Sequence, residues 1–321
     1  MKIVVLDGYT LNPGDLSWAA FKALGDLTVY DRSPPETVLK RAEHANAILT
    51  NKTQLNREII RKLTETRYIG VLATGYNVVN VEAALKRNVV VTNVPGYSTA
   101  SVAEHVFALL LHFARQVDHH ISTVKKGRWS RESDFCYWNF PILELAGLTM
   151  GIIGYGETGK AVARRAVAFD MKVIVNTRTP PAEPVAGIRF TDLETVFRES
   201  DIVSVHIPLT PLTENLVSAE RLRMMKPTAY LINTSRGGVL DEEALVAVLK
   251  ERKITGAALD VMKEEPPELN HPLFRFNNCI ITPHHAWAAK AARQRCMKTA
   301  AENLAAFIAG KPQNVVTASA S

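Results

Sequence analysis

The chain repeats one pattern twice: a short β-branched apolar run followed by a longer stretch with helical spacing. In the first third, "KIVVLD", "NAILT", "RYIGVLA" and "NVVVTNV" read as strands, and "ETVLKRAEHA", "NREIIRKLTE" and "NVEAALKR" as helices. Strands that are apolar along nearly their whole length have no wet face, and helices between them imply a parallel sheet covered on both sides. Pro95-Gly96 closes this section, and a long apolar helix, "TASVAEHVFALLLHFARQV", follows. It is apolar beyond a single stripe, which predicts burial on several sides. A second alternation runs from "LTMGIIGYG" through "MKVIVN", "DIVSVHI", "TAYLIN", "ITGAALDV" and "CIITP". Within it "DEEALVAVLKER" is a helix that Asp241 is placed to cap. A last helix, "AARQRCMKTAAENLAAFIAG", halts at Gly310-Lys311-Pro312 and is expected to pack back on the first domain, with "TASAS" beyond it disordered. The fold class is therefore α/β: two units of similar build with parallel sheets.

A length of 321 residues suffices for two cores. The net charge of +6 comes from basic residues scattered among 32 acids, without the block a nucleic-acid footprint would need. A small anionic ligand accounts for the excess equally well. Cys136, Cys279 and Cys296 are widely spaced with no CxxC, which argues against a disulfide framework and for a reducing compartment. The apolar run of "MKIVVLDGY" ends at Asp7, too early for a signal peptide, and no run approaches a membrane span. A cytoplasmic protein is expected.

"GIIGYGETGKAVA" sets Gly154, Gly156 and Gly159 in G-x-G-x-x-G spacing between a strand and a helix. In that context Gly154 makes the tight turn, Gly156 lets a pyrophosphate approach, and Gly159 packs helix on strand. The loop also offers Tyr155 and Thr158. A dinucleotide is the expected ligand. An NAD site needs an acid at the end of the next strand for the ribose hydroxyls, yet that strand ends in Asn176, Thr177 and Arg178. A missing carboxylate together with an added guanidinium favours NADP, with NAD possible.

Arg236 follows a strand in "LINTSRGGVLDEE", flanked by Thr234 and Ser235. A guanidinium in such a crevice can clamp a carboxylate through two parallel hydrogen bonds, or serve only as a structural ion pair. Asp260 ends another strand, and Glu265 gains interest if it touches a histidine, because a carboxylate favours the charged imidazole that a general acid requires. His284 and His285 stand side by side after Thr282-Pro283. His206, in "SVHIPLTPLTEN" with Pro208 and Thr213, is placed to line the cofactor crevice. His44, His112, His119 and His120 read as helical surface or packing residues. No metal-ligand spacing occurs, so no metal is expected, and without G-x-S-x-G a hydrolase elbow has no support.

Taken in order, "ATGYNVVNVEAALKRNVVVTNVPGYSTASVAEH", "GIIGYGETGKAVARRA", "HIPLTPLTENLV", "NTSRGGVLDEEAL", "GAALDVMKEEPP" and "TPHHAW" closely resemble successive signatures of the D-isomer-specific 2-hydroxyacid dehydrogenases. Within that family the likeness is to the hydroxypyruvate reductase (glycerate dehydrogenase) branch. The resemblance implies two Rossmann-like domains: a discontinuous, flavodoxin-like substrate domain, residues 1–98 plus 288–321, and an inserted NAD(P)-binding domain, residues 99–287. It also implies a homodimer built on the long helix, with residues 125–138 a candidate arm. Arg236, Glu265 and His284 fall on the family's catalytic arginine, glutamate and histidine. His285 stands where the family usually has an aliphatic residue, and is read as a neighbour. Asp260 resembles the position that meets the nicotinamide carboxamide, and Ala286 completes the cofactor set. Ala73, Thr74 and Gly75 are implied to bind the substrate carboxylate through their backbone, with Lys52 assisting. Trp287 belongs to the "HxAW" form of the branch and is implied to line the substrate side.

The expected reaction is reduction of hydroxypyruvate or glyoxylate to D-glycerate or glycolate. Alternatives are an NAD-linked dehydrogenase of a bulkier D-2-hydroxy acid and a dinucleotide-sensing binding protein akin to the family's corepressors.

Overall fold

Each paired strand runs parallel to its neighbours in the computed structural model, which describes residues 1–316. The chain divides into two units: Met1–Ser98 with the segment from Ala288 onward, and Thr99–Trp287.

The first unit contains β1 (Lys2–Val5), α1 (Gly8–Leu11), α2 (Ala19–Lys22), β2 (Asp26–Val29), α3 (Pro35–Ala42), β3 (Ala47–Thr50), α4 (Arg57–Lys62), β4 (Tyr68–Val71), α5 (Val81–Leu85) and β5 (Val90–Thr92). The strand order is β2-β1-β3-β4-β5, so the winding reverses between β1 and β3. Ligands of open α/β sheets bind beyond the carboxyl ends of strands at such a reversal. Its central strands are sealed on both faces, with Ile3, Ile48, Leu49 and Ile69 at 0% exposure, each contributing ~1.5–3 kcal/mol by burial.

The second unit holds α6 (Thr99–Arg115), α7 (Val117–Lys125), β6 (Thr149–Ile153), α8 (Glu157–Ala168), β7 (Lys172–Asn176), β8 (Ile188–Phe190), α9 (Leu193–Glu199), β9 (Ile202–Val205), α10 (Ala219–Met224), β10 (Tyr230–Asn233), α11 (Glu242–Lys250), β11 (Gly256–Leu259) and β12 (Cys279–Ile281). The order β12-β11-β10-β9-β6-β7-β8 puts the reversal between β6 and β9. The Asp241 side chain accepts from the Ala244 N–H and caps α11. The chain then returns to the first unit in α12 (Lys290–Ile308), which packs on β4 and α2 with Tyr68 and Phe307 rings 5.0 Å apart.

Two features differ from expectation. The long apolar helix does not run through to residue 117: Gln116 takes a left-handed φ of 46°, which ends α6 and restarts the chain as α7. The edge strands β2 and β8 went unread because each is three or four residues long and only half-buried. The expectation of a disordered "TASAS" lies outside the described residues.

Candidate active site

The glycine loop follows β6. Gly154 has φ +97°, and a Cβ there would lie 2.5 Å from the His206 carbonyl oxygen, so both conformation and space demand glycine. A Cβ on Gly159 would meet the Gly154 carbonyl at 2.0 Å, which is how closely α8 sits on the loop. Gly156 is different. It is the N-cap of α8, has no side-chain cap, and a Cβ on it would meet nothing within 4 Å. The space beside Gly156 is therefore open at the positive end of a twelve-residue helix, which fits a pyrophosphate. Thr158 is half-buried in that first turn, while the Tyr155 ring packs edge-on against Phe190 at 5.1 Å.

The neighbouring strand ends complete a rim. Asn176 donates its amide to the Thr191 carbonyl at 3.1 Å, Thr177 is half-buried, and Arg178 is exposed and has no hydrogen-bond partner among the described residues. His206 follows β9, with its Nε2 2.8 Å from Ser204 Oγ, and burial pushes its pKa down to about 4. Beyond it Thr213 Oγ1 donates to the Pro208 carbonyl at 2.6 Å and folds that loop on itself. At the end of β10 the Thr234 hydroxyl is buried with no partner among the described residues, an orphan polar atom that a ligand can satisfy. Gly loop, Arg178 and Thr234 together fit a dinucleotide.

Arg236 follows on the same strand. Ser235 donates through N and Oγ to Asn233 Oδ1 at 3.0 and 2.8 Å, and the Asn233 amide donates to the Arg236 carbonyl at 3.0 Å. Arg236 Nη1 reaches back to the Ser235 carbonyl at 2.7 Å, and the side chain is half-buried. The loop thus presents a positioned guanidinium.

Two strands over, β12 leads to His284. Its Nδ1 lies 2.6 Å from Glu265 Oε2, while Glu265 Oε1 accepts from the Met262 N–H at 3.0 Å. One carboxylate thereby fixes both its own loop and the ring, and Nε2 makes no hydrogen bond among the described residues. His284 has a left-handed φ of 48°, an uncommon state for a side-chain-bearing residue. Its backbone is held there by the His284 N–H to the Thr282 carbonyl at 2.9 Å and by Trp287 Nε1–H donating to the His284 carbonyl at 2.7 Å. Trp287 supports the His284 loop through that bond.

Asp260, 1% exposed at the end of β11, is the post to which this loop is tied. Its oxygens accept from Thr282 Oγ1 at 2.6 Å, the His285 N–H at 3.1 Å and the Ala286 N–H at 2.9 Å. Two residues that went unnoticed in the sequence grip the same loop from α6. Ser101 Oγ donates to the Ala286 carbonyl at 2.5 Å, and His105 Nε2 lies 3.0 Å from Thr282 Oγ1. Burial lowers the His105 pKa, against the pull of Asp260 and with a further push from His285. Their four-residue separation on one helix face was the available signal.

Lys52, Ala73, Thr74 and Gly75 belong to the first unit. Asp7, 5% exposed after β1, accepts the N–H groups of Asn51, Lys52 and Thr53 at 2.8, 2.5 and 2.7 Å and so shapes the Lys52 loop. Lys52 is exposed, and Ala73, Thr74 and Gly75 form a partly exposed turn after β4. Thr74 Oγ1 donates to the Val94 carbonyl at 2.9 Å. Asp7 read only as the end of an apolar run, yet it organises this corner.

In the second unit, a doubly wound parallel sheet whose carboxyl edge carries a glycine loop, a positioned arginine and a carboxylate-held histidine defines a dinucleotide-dependent oxidoreductase. Residues 107–286 match the family model for the D-isomer specific 2-hydroxyacid dehydrogenase NAD binding domain. The chain is 44% identical over 320 residues to a hydroxypyruvate reductase of Blautia hydrogenotrophica, covering 98% of this chain and 99% of that one. It is 39% identical over 320 residues to a glycerate dehydrogenase of Methylorubrum extorquens, covering 99% of both. A solved NADPH-dependent glyoxylate/hydroxypyruvate reductase from Sinorhizobium meliloti superposes with a TM-score of 0.84 at 28% identity, over 98% of this chain and 97% of that one. The chain belongs to the D-isomer specific 2-hydroxyacid dehydrogenase family, in its hydroxypyruvate reductase branch. No described helix is long and apolar enough to cross a membrane.

Proposed function

We propose that the protein reduces a small 2-oxo acid, hydroxypyruvate or glyoxylate, to the corresponding D-2-hydroxy acid or glycolate, with NADPH preferred. The observation that carries the reading is the 2.6 Å contact of His284 Nδ1 with Glu265 Oε2 on the same sheet edge as Arg236.

Reduced nicotinamide, when bound, supplies a hydride to the C2 carbon. Arg236 holds the substrate carboxylate and polarises the carbonyl, which fixes the face presented. As charge grows on the carbonyl oxygen, His284 delivers the Nε2 proton to it, while Glu265 keeps the ring in register through Nδ1. Gly154, Gly156, Thr158 and Gly159 carry the pyrophosphate. Asn176, Thr177 and Arg178 take the 2′-phosphate, and His206, Pro208, Thr213, Thr234, Asp260 and Ala286 line the remainder of the cofactor's path. Lys52 and the backbone of Ala73–Gly75 are assigned to the substrate carboxylate, with Trp287 on the substrate side. The three free cysteines suit a reducing, cytoplasmic setting. We assign the exposed apolar residues of α7 and the following segment to a homodimer interface.

A panel of 2-oxo acids assayed with both cofactors tests the reading. Hydroxypyruvate and glyoxylate should oxidise NADPH faster than NADH. Equal rates, or faster NADH, would remove the role given to Arg178, and inertness toward the whole panel would remove the substrate class.

A further inference from the structure

The loop that carries His284 also gathers two imidazoles and a carboxylate to which proton delivery assigns no part. His105, in the second turn of α6, turns its Nε2 to 3.5 Å from Asp260 Oδ1. The His285 ring stands edge-on against it, with centroids 4.9 Å apart and planes at 77°. The ligand-capable atoms of His105, Asp260 and His285 all lie within 4.8 Å of one another. We infer that these three side chains form a binding site for a divalent transition metal, with Zn²⁺ the ion their chemistry suits best.

Two imidazole nitrogens and one carboxylate oxygen are the three-ligand set of an open zinc site, with a fourth position for water. Imidazole ligands discriminate against Mg²⁺ and Ca²⁺, which demand oxygen. Bonds near 2.0–2.1 Å in a tetrahedron put ligand atoms roughly 3.3–3.4 Å apart. The required closure falls on His285, whose exposed side chain is free to swing while its backbone stays tied to Asp260. The other partners are already held. Asp260 is oriented by Thr282 Oγ1 and by the N–H groups of His285 and Ala286, the kind of outer bonding that fixes a metal-binding carboxylate. His105 is fixed on a helix with its side chain 15% exposed, so the ion enters past His285. The sequence expectation of no metal rested on local spacings, whereas these ligands come from one helix and two strand ends that are distant in the chain.

A consequence rests on the proposed reaction. An ion held by Asp260 and His285 locks the loop on either side of His284 and competes with the cofactor contact assigned to Asp260, so Zn²⁺ inhibits turnover.

The site itself is tested without cofactor or substrate. Full-length protein freed of metal by chelator is titrated with Zn²⁺ in a calorimeter, and with Co²⁺ by visible absorption. One ion per chain is expected, with affinity reduced at least about tenfold in His285→Leu and in His105→Gln. Far-UV circular dichroism confirms folding, and the exposed position of residue 285 keeps that variant informative if the other unfolds. Absence of saturable uptake would overturn the site, and an affinity unchanged in either folded variant would overturn it by assigning the ion to other surface histidines. A second arm measures Zn²⁺ inhibition of hydroxypyruvate reduction, expected in the parent and relieved in His285→Leu. Binding without inhibition would sink the catalytic consequence while the site stands, and inertness toward 2-oxo acids would fail the proposed reaction while the binding result still reads.

Discussion

Adjacent in the chain, His284 and His285 answer to different partners. The His284 ring is held by Glu265, whereas His285 meets Asp260 through its backbone N–H and leaves its ring to His105. Replacing His284 with alanine removes the proposed proton donor and should lower kcat by about 10²–10⁴-fold. Cofactor binding, measured by fluorescence quenching, should be retained. His285→Ala should keep most of the activity in chelator-treated buffer, and the reverse ranking would transfer the acid role. A second residue-scale expectation concerns His206, whose imidazole burial holds at about 4 against an ordinary 6.5. The unfolded chain binds a proton in that interval that the folded one refuses. Stability is therefore whole above pH 6.5 and declines as the pH falls toward 4, by up to ~3 kcal/mol. Urea melts across that window should show the decline, and His206→Gln should flatten it. An unchanged slope would mean that the ring titrates normally in the fold.

At the scale of elements, both sheets gather ordered loops at the carboxyl ends of their strands, and the means differ. In the second unit the reversal between β6 and β9 places Gly154 beside His206, so a missing Cβ at one strand end is needed by the carbonyl at the next. In the first, the reversal between β1 and β3 lets Asp7 gather three successive N–H groups. Asp7→Ala strands those donors, each worth roughly 1–3 kcal/mol when buried and unpaired. A loss of ~1.4 kcal/mol in substrate binding is a tenfold rise in KM. KM for the 2-oxo acid should rise by about that factor, with the cofactor constant unmoved because the glycine loop belongs to the other unit. An equal rise in both would make Asp7 a purely structural residue. Much of this was legible in the chain. The central strands announce themselves by continuous apolar runs, and Gly154, Gly156 and Gly159 by spacing between a strand and a helix. Ser101, His105 and Asp7 were not legible, because their partners stand 185, 177 and up to 46 residues away, and the four-residue spacing of Ser101 and His105 puts them on one helix face without saying what that face meets. The break at Gln116 was hidden for the opposite reason. The apolar pattern continues across it into Val117, and only the backbone φ reveals that the helix has ended.

For the whole molecule the open matter is what covers α7 and the segment after it. Val117, Ile121 and Val124 recur at helical spacing and are 54%, 47% and 41% exposed, and α7 buries none of its residues. Trp129, Phe135 and Trp138 follow at 53%, 89% and 63%. An apolar helix face left in water is a candidate interface. The long apolar helix ahead of it already spends Val106, Leu109, Leu110 and Phe113 on the core of its own unit. The proposed homodimer therefore places its contact on α7 and the loop beyond, where a second copy of the chain would satisfy the same apolar face on both sides with one symmetric contact. Light scattering should return twice the 35.4 kDa of one chain. Charges introduced together as Ile121→Asp and Trp138→Asp should halve that mass without altering the far-UV spectrum, and should lower Tm as the covered surface is lost. A single-chain mass for the unaltered protein, or a dimer indifferent to both charges, would return this surface to some other occupant.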